Sequence, residues 1–206
     1  MKRALPWLRD RPATHDGKVS IRVGKVVLRE KRLEDAPEDY AWRTDEELAR
    51  LDATSPITMS YEAFLKYSKE ELTYGSSSSQ RLAIETFDGR HIGNCMSYDV
   101  DLKRGQAELG IMIGDRDYWD KGYGSDSVDA LLFHIFTASP LNRVYLHTLD
   151  WNVRARHCFE KAGFREVKDV RRGGMDFILM ETFREEWERR DSRNGSGDYA
   201  PAHQDE

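Results

Sequence analysis

Residues 108–137 read ELGIMIGDRDYWDKGYGSDSVDALLFHIFT, and the way this stretch divides decides the fold. Residues 107–113 form a short apolar run bounded by charge and glycine, as in a largely buried strand. Val128, Leu131, Leu132, Ile135 and Phe136 then fall at i, i+3, i+4, i+7 and i+8, one buried stripe on a helix that runs out at Ser139-Pro140. Between strand and helix sits Trp119-Asp120-Lys121-Gly122-Tyr123-Gly124-Ser125. Its glycines, separated by one residue, let the backbone approach a ligand with no side chain in the way. The helix turns its free N–H groups and positive dipole end back on that turn, a setting for an anion and most often a phosphate.

The turn alone is also compatible with a plain tight turn. A kinase-type nucleotide loop is excluded, because no Gly-Lys-Ser/Thr follows four intervening residues. The dinucleotide fingerprint is excluded as well, since Ser127 stands where its third glycine belongs.

Trp119-Asp120-Lys121-Gly122-Tyr123-Gly124 resembles the pyrophosphate loop of the GNAT superfamily of N-acetyltransferases, Arg/Gln-x-x-Gly-x-Gly/Ala. Trp119 in place of the Arg or Gln is common in the RimJ/RimL-like branch, the ribosomal-protein N-terminal acetyltransferase type, and Asp126 resembles the acidic residue usual there. Downstream, Asn152-Val153-Arg154-Ala155 and Phe159-Glu160-Lys161-Ala162-Gly163-Phe164 resemble the family's second element, Asn-x-x-(Ala/Ser)…(Tyr/Leu)-Glu-Lys-x-Gly-Phe. The resemblance covers roughly residues 26–182. It implies an α+β fold: a mixed, mostly antiparallel sheet with splayed central strands, flanked by helices. It also implies acetyl-CoA as co-substrate and a primary amine as acceptor, either a protein N-terminus or a small molecule such as an amino sugar, polyamine or antibiotic.

Composition agrees. A chain of 206 residues is long enough for one domain with a substantial core. No apolar run approaches a membrane span, and residues 1–20 are charged and proline-bearing, without a signal-peptide core. Cys95 and Cys158 are the only cysteines, so neither a disulfide framework nor a four-cysteine zinc site is available; no metal is expected, and a reducing cytoplasm is the default. The net charge of −5 argues against a nucleic-acid surface and mildly favours a cationic acceptor. A homodimer is left open.

In chain order, residues 1–20 read as a loosely attached arm in which Pro6, Trp7 and Leu8 are available for docking. A single domain is expected over residues 21–188. Residues 21–30 alternate as a strand with Gly24 as a bulge or bend, and a helix is expected from Asp35 to about Leu51. Ser60 is a plausible N-cap for the next helix, to Tyr74, and the serines after Gly75 read as a flexible connector. Residues 81–87 and 91–100 form a hairpin turned at Asp88-Gly89. After the central helix come a strand over 143–149, a helix capped by Asn152 and ended at Gly163, and a last hairpin turned at Gly173-Gly174. A short helical turn is expected at 183–190, and the polar tail, residues 189–206, is expected to be disordered.

The resemblance places the pyrophosphate on the N–H groups of Lys121, Gly122, Tyr123, Gly124 and Ser125, and the thioester carbonyl near Ile111, Met112 and Ile113. Asn152 is to contact the pantetheine, cap its helix, or both. Arg154 and Arg156 are candidate cations for the coenzyme's 3′-phosphate, with surface solvation the alternative. Two residues compete as the base: Glu108 on the central strand, and His147 on its neighbour, five residues before Asn152. Each also has a structural reading, as a hydrogen-bond partner within the sheet. The tyrosine that serves many relatives as acid is Phe159 here, and Cys158 beside it reads as a buried small residue. Asp45, Glu46, Glu47 and Asp52 favour an ammonium acceptor, while Arg171-Arg172 point toward an anionic one. A coenzyme A-binding regulatory domain and an unrelated nucleotide-binding protein remain the other classes.

Overall fold

The computed structural model describes residues 14–15, 18–76 and 78–194. Its elements are β1 (Thr14–His15), β2 (Lys18–Val23), β3 (Val26–Glu30), α1 (Ala36–Thr44), α2 (Glu46–Leu51), α3 (Tyr61–Tyr74), β4 (Gln80–Thr86), β5 (His91–Asp101), β6 (Gln106–Ile113), α4 (Tyr123–Ala138), β7 (Arg143–Leu149), α5 (Val153–Lys161), β8 (Arg165–Arg172), β9 (Met175–Phe183) and α6 (Arg184–Asn194). Among the described residues they build one sheet in the order β1-β2-β3-β4-β5-β6-β7-β9-β8. Every neighbouring pair is antiparallel except β6 and β7. The mixed, mostly antiparallel sheet with flanking helices is the one expected.

One face of the sheet is closed by α4. Val128, Leu131, Leu132, Ile135 and Phe136 are all buried, as the stripe requires, against Leu28, Ile84, Ala107, Leu109, Val144 and Leu146. Each large side chain so buried contributes about 1.5–3 kcal/mol. Ser60 and Asn152 cap their helices as expected, accepting from Ala63 N and Ala155 N. Phe159 and Ala162 of the second motif are buried in the same core.

Four boundaries differ from the sequence reading. The strand over 21–30 is a hairpin, β2 and β3, turned at Gly24 with φ +54°. The arm is tied down earlier than residue 20, since Thr14–His15 and Lys18–Val23 add strands; Pro6, Trp7 and Leu8 lie outside the described residues. The helix from Asp35 breaks at Asp45, whose extended backbone (ψ 125°) ends α1 while its carboxylate caps Leu48 N of α2. The tail remains helical to Asn194, because Trp187 of α6 buries its ring against Phe133 and Phe136 at centroid distances of 6.3 and 5.6 Å. Residues 195–206, and Ser77 of the serine connector, lie outside the described residues.

On the other face, α1 is fastened by a buried ion pair. Arg29 of β3 donates from Nη1 and Nη2 to the two oxygens of Asp35 (2.9 and 2.7 Å) and from Nε to Glu85 (2.9 Å). Asp35 also accepts from Arg32 N at 2.8 Å. Burial alone would raise the Asp35 carboxyl, but Arg29, the Arg32 N–H and Lys31 outweigh it and hold the group well below the usual carboxylate range. Beside this pair, Trp42 packs on backbone: a Cβ at Gly114 would lie 2.1 Å from its indole.

Removing one partner of a buried pair leaves the other charge uncompensated, so Asp35→Asn is expected to cost roughly 3–5 kcal/mol, read as a lower midpoint in urea unfolding. Because the folded-state carboxyl is depressed, its contribution is present above the ordinary value of about 3.9 and is lost as the pH falls below it. The variant is therefore expected to lose less stability on acidification than the parent.

Candidate active site

The site begins where two strands part. β6 and β7 are in register only at Gln106↔Arg143, Ala107↔Val144 and Glu108↔Tyr145. Beyond Glu108, β6 stays paired to β5 as far as Gly93↔Ile113, and β7 stays paired to β9 as far as Leu149↔Phe177. The edges that face each other across the fork, residues 109–113 and 146–149, therefore have no strand partner. This is the expected splay, and Ile111, Met112 and Ile113 lie on its edge.

The glycine turn lies at the fork's open end. Asp120 and Gly122 take left-handed backbone, φ +57° and +88°, and Gly122 is the N-cap of α4. The hairpin between β2 and β3 is docked on it: Lys25 N donates to Asp126 Oδ2 (3.0 Å), and Lys25 Nζ to Lys121 O (2.7 Å). A Cβ on Gly122 would be 3.5 Å from that ammonium. A cation thus joins Lys121, Gly122, Tyr123, Gly124 and Ser125 at the helix N-terminus. Lys25 was not singled out in the sequence because 101 residues separate it from Asp126.

The second motif meets the turn from the side. Ser125 Oγ lies 3.6 Å from Cys158 Sγ, whose thiol is pushed up by burial. Asn152 Oδ1 caps α5, so the capping half of its two expected roles is the one seen. Arg154 lies over Trp119, its Cζ 3.6 Å from the ring centroid, while the indole N–H donates to Ile113 O at 2.7 Å. Arg116 lies 5.4 Å from the same ring and reaches Asp45 and Glu47 of the α1–α2 region, both at 2.8 Å. Arg156 pairs with Glu166 at 2.6 Å, which favours its surface reading.

At the closed end of the fork, Glu108 and His147 meet: Glu108 Oε1 lies 2.7 Å from His147 Nδ1, each side chain being 8% exposed. The two competing bases are one hydrogen-bonded pair. Tyr98, opposite Glu108 in the β5–β6 ladder, and Tyr145, edge-on to the His147 ring at 5.9 Å, complete a polar cluster that sequence reading missed. Burial and the Glu108 carboxylate push the Tyr98 hydroxyl up. Arg172 Nη1 lies 3.5 Å from His147 Nδ1, whereas Arg171 is paired with Asp176. Among the described residues no cluster suits a metal ion.

Glu108, Gly110 and Met112 share one face of β6. Gly110 and Met112, with Met96, Phe64, Tyr67 and Tyr74, line a cleft of about 990 Å³ between the sheet and α1–α3. Asp52 also lines it. Phe159 is buried and edge-on to Phe164 at 5.9 Å, in the core and not in the cleft.

The acetyltransferase (GNAT) domain family matches residues 25–165. The chain belongs to this family. An uncharacterized N-acetyltransferase, p20, of Bacillus licheniformis is 28% identical over 122 residues, 58% of this chain and 67% of that protein. In fold, the chain is similar to spermidine N-acetyltransferase from Vibrio cholerae in complex with CoA and spermine, with a TM-score of 0.70 at 18% identity over 79% of this chain and 98% of that one. It is similar also to Mycobacterium smegmatis RimJ in complex with CoA-disulfide, with a TM-score of 0.68 at 22% identity over 86% and 94% of the two chains. The protein is an acetyl-CoA-dependent amine N-acetyltransferase, and the regulatory and unrelated nucleotide-binding readings fall away.

Phe159 packs where many relatives carry a tyrosine. Phe159→Leu is expected to cost roughly 1–3 kcal/mol in thermal unfolding and to keep most turnover. Phe159→Tyr is expected to leave turnover near the parent value; a large gain would show a pocket built for an acid.

Proposed function

We propose that the acceptor is the α-amino group of a peptide or protein N-terminus, as in the RimJ/RimL-type branch, bound in the cleft between the sheet and α1–α3. The observation that carries this is the cleft's charge balance. Its acids are matched by bases: Lys31 pairs with Asp39 (2.7 Å), Arg81 with Glu71 (3.2 Å), and Arg43 faces Asp52 (3.8 Å). A linear polycation needs a surplus of carboxylates, whereas one ammonium followed by amides and side chains suits a wide, half-apolar groove. The polyamine reading is the second one, supported by the similarity to the spermidine enzyme and by Asp52, half-exposed in the cleft.

Acetyl-CoA enters the fork from the other side. Its pantetheine amides replace the missing strand along residues 109–113, as peptides do when they extend a sheet. The pyrophosphate lies on Lys121, Gly122, Tyr123, Gly124 and Ser125 with the Lys25 ammonium beside it; Asn152 and Arg154 flank the arm. The neutral amine attacks the thioester carbonyl, and the oxyanion is held by backbone N–H groups at Ile111, Met112 and Ile113. The C–S bond breaks as the tetrahedral intermediate collapses. The proton lost by nitrogen passes to the Glu108–His147 pair, and the thiolate takes one from water, so amide and thiol form with no net proton change. Cys158 is not the acid: its thiol sits against Ser125 at the pyrophosphate end and is pushed up by burial. A cytoplasmic setting agrees with the free thiols of Cys95 and Cys158.

Two measurements test this. Gly122→Trp, at a left-handed surface turn, is expected to abolish calorimetric CoA binding in a folded protein, and Lys25→Met to weaken it roughly tenfold, about one charge-assisted contact. Unchanged affinity in both would remove the coenzyme from the turn. In a thiol-release assay with peptides, N-blocked peptides, spermidine and amino sugars, peptides with a free α-amine are expected to give the highest kcat/KM, with mass spectrometry placing the acetyl group on that nitrogen. A preference for spermidine would overturn the acceptor assignment.

A further inference from the structure

We propose that His147 alone takes the amine proton, through Nε2, and that Glu108 and Tyr98 are positioning residues that hold its ring in the tautomer able to do so. This rests on the transferase reading and assigns roles within the pair at the end of the fork.

The distances decide which nitrogen is free. Nδ1 of His147 has two neighbours, Glu108 Oε1 at 2.7 Å and Arg172 Nη1 at 3.5 Å. A carboxylate only accepts, and a guanidinium only donates, so one of the two contacts is not a hydrogen bond. The shorter has the length of a charge-assisted bond, and the longer is at the limit for any bond. Nδ1 therefore carries the hydrogen and gives it to Glu108. In the neutral ring the lone pair is then on Nε2, which has no hydrogen-bond partner among the described residues.

Glu108 in turn has Tyr98 as its neighbour. The two are directly opposite in the β5–β6 ladder and so project on one face. Gly110 leaves room for this: a Cβ there would lie 3.4 Å from Tyr98 Cε1 and 3.2 Å from Met96 Cγ. Just after Tyr98 the register of β5 shifts, and Asp99 takes left-handed backbone, φ +48°. Bulges of this kind re-aim a neighbouring side chain. The Tyr98 hydroxyl, pushed up by burial and by Glu108, keeps its proton and is therefore a donor, not a rival acceptor, beside that carboxylate. It is for the same reason a poor acid for the departing thiolate. Glu108, bound to the imidazole and with the Tyr98 hydroxyl as its cross-strand neighbour, is occupied as an orienting group. The remaining groups around the ring are Tyr145 on its own strand, Arg172 on β8 and the apolar Leu179 opposite it on β9.

In the step itself, the amine nitrogen forms its bond to the carbonyl carbon as Nε2 takes its proton, and the C–S electron pair leaves with sulfur. The imidazolium then returns its proton to solvent. His147→Asn keeps an N–H donor for Glu108 but has no base. It is expected to lower kcat roughly 10²-fold or more with coenzyme A affinity nearly unchanged, and added imidazole should restore part of the rate. Glu108→Gln is expected to cost less than His147→Asn. Tyr98→Phe should lower kcat a few-fold and alter the pH–rate profile, and should do neither in the His147→Asn background. Coenzyme A affinity and thermal unfolding of each variant report folding. An inactive Glu108→Gln beside a His147→Asn protein of full turnover overturns the assignment, making Glu108 the base. A Tyr98→Phe profile identical to the parent, or losses that simply multiply, removes Tyr98 from it. A parent that acetylates no amine overturns the transferase reading and the relay with it.

Discussion

The parting of β6 and β7 after Glu108 is the constraint on which the rest of the structure depends. Unpaired strand edges are costly and invite other partners, so a fork inside a sheet persists only if both arms are held independently. β5 holds one arm along its length and β9 holds the other. Beneath them, Val128, Leu131 and Leu132 of α4 share one buried core with Leu109 of one arm and Leu146 of the other. The helix beneath the fork is also the one whose N-terminus carries the glycine turn.

The opposite face is organised around the same opening. Trp42 against Gly114, and Arg116 on Asp45 and Glu47, tie the α1–α2 region to the segment that follows β6. Arg50 of α2 lies over Trp151, at the end of the other arm, with its guanidinium 4.7 Å from the ring centroid. The α1–α2 region is thus fastened to both tips of the fork. The Glu108–His147 pair lies at the last paired rung, where the two arms part.

Much of this was legible in the sequence because it is local. The strand–turn–helix around Gly122, the caps at Ser60 and Asn152, and the buried Phe159 each follow from spacing or residue type within a few positions. What was hidden needed partners distant in the chain. Nothing near Gly24 says that it faces Asp126, or that Lys25 reaches Lys121. A bend and a hairpin turn look alike until β3 finds β4. Glu108 and His147 were each found as candidates, but as rivals, since their contact depends on a three-rung parallel register between strands joined by a long helix. Tyr98 was missed because the irregularity before Asp101 breaks the count by which a hairpin partner would be assigned.

The place of β9 has a consequence for how the protein comes into being. It is the last strand among the described residues, yet it lies inside the sheet, between β7 and β8. Until it has been synthesised, β7 has only the three rungs it shares with β6, and nothing holds the second arm away from the first. A nascent chain released before Met175–Phe183 has every motif residue and still no slot for a cosubstrate. Pairings of such high sequence separation are slow to form, and waiting edges are prone to wrong partners. The fork therefore cannot be complete before Met175–Phe183 has been made and paired with β7.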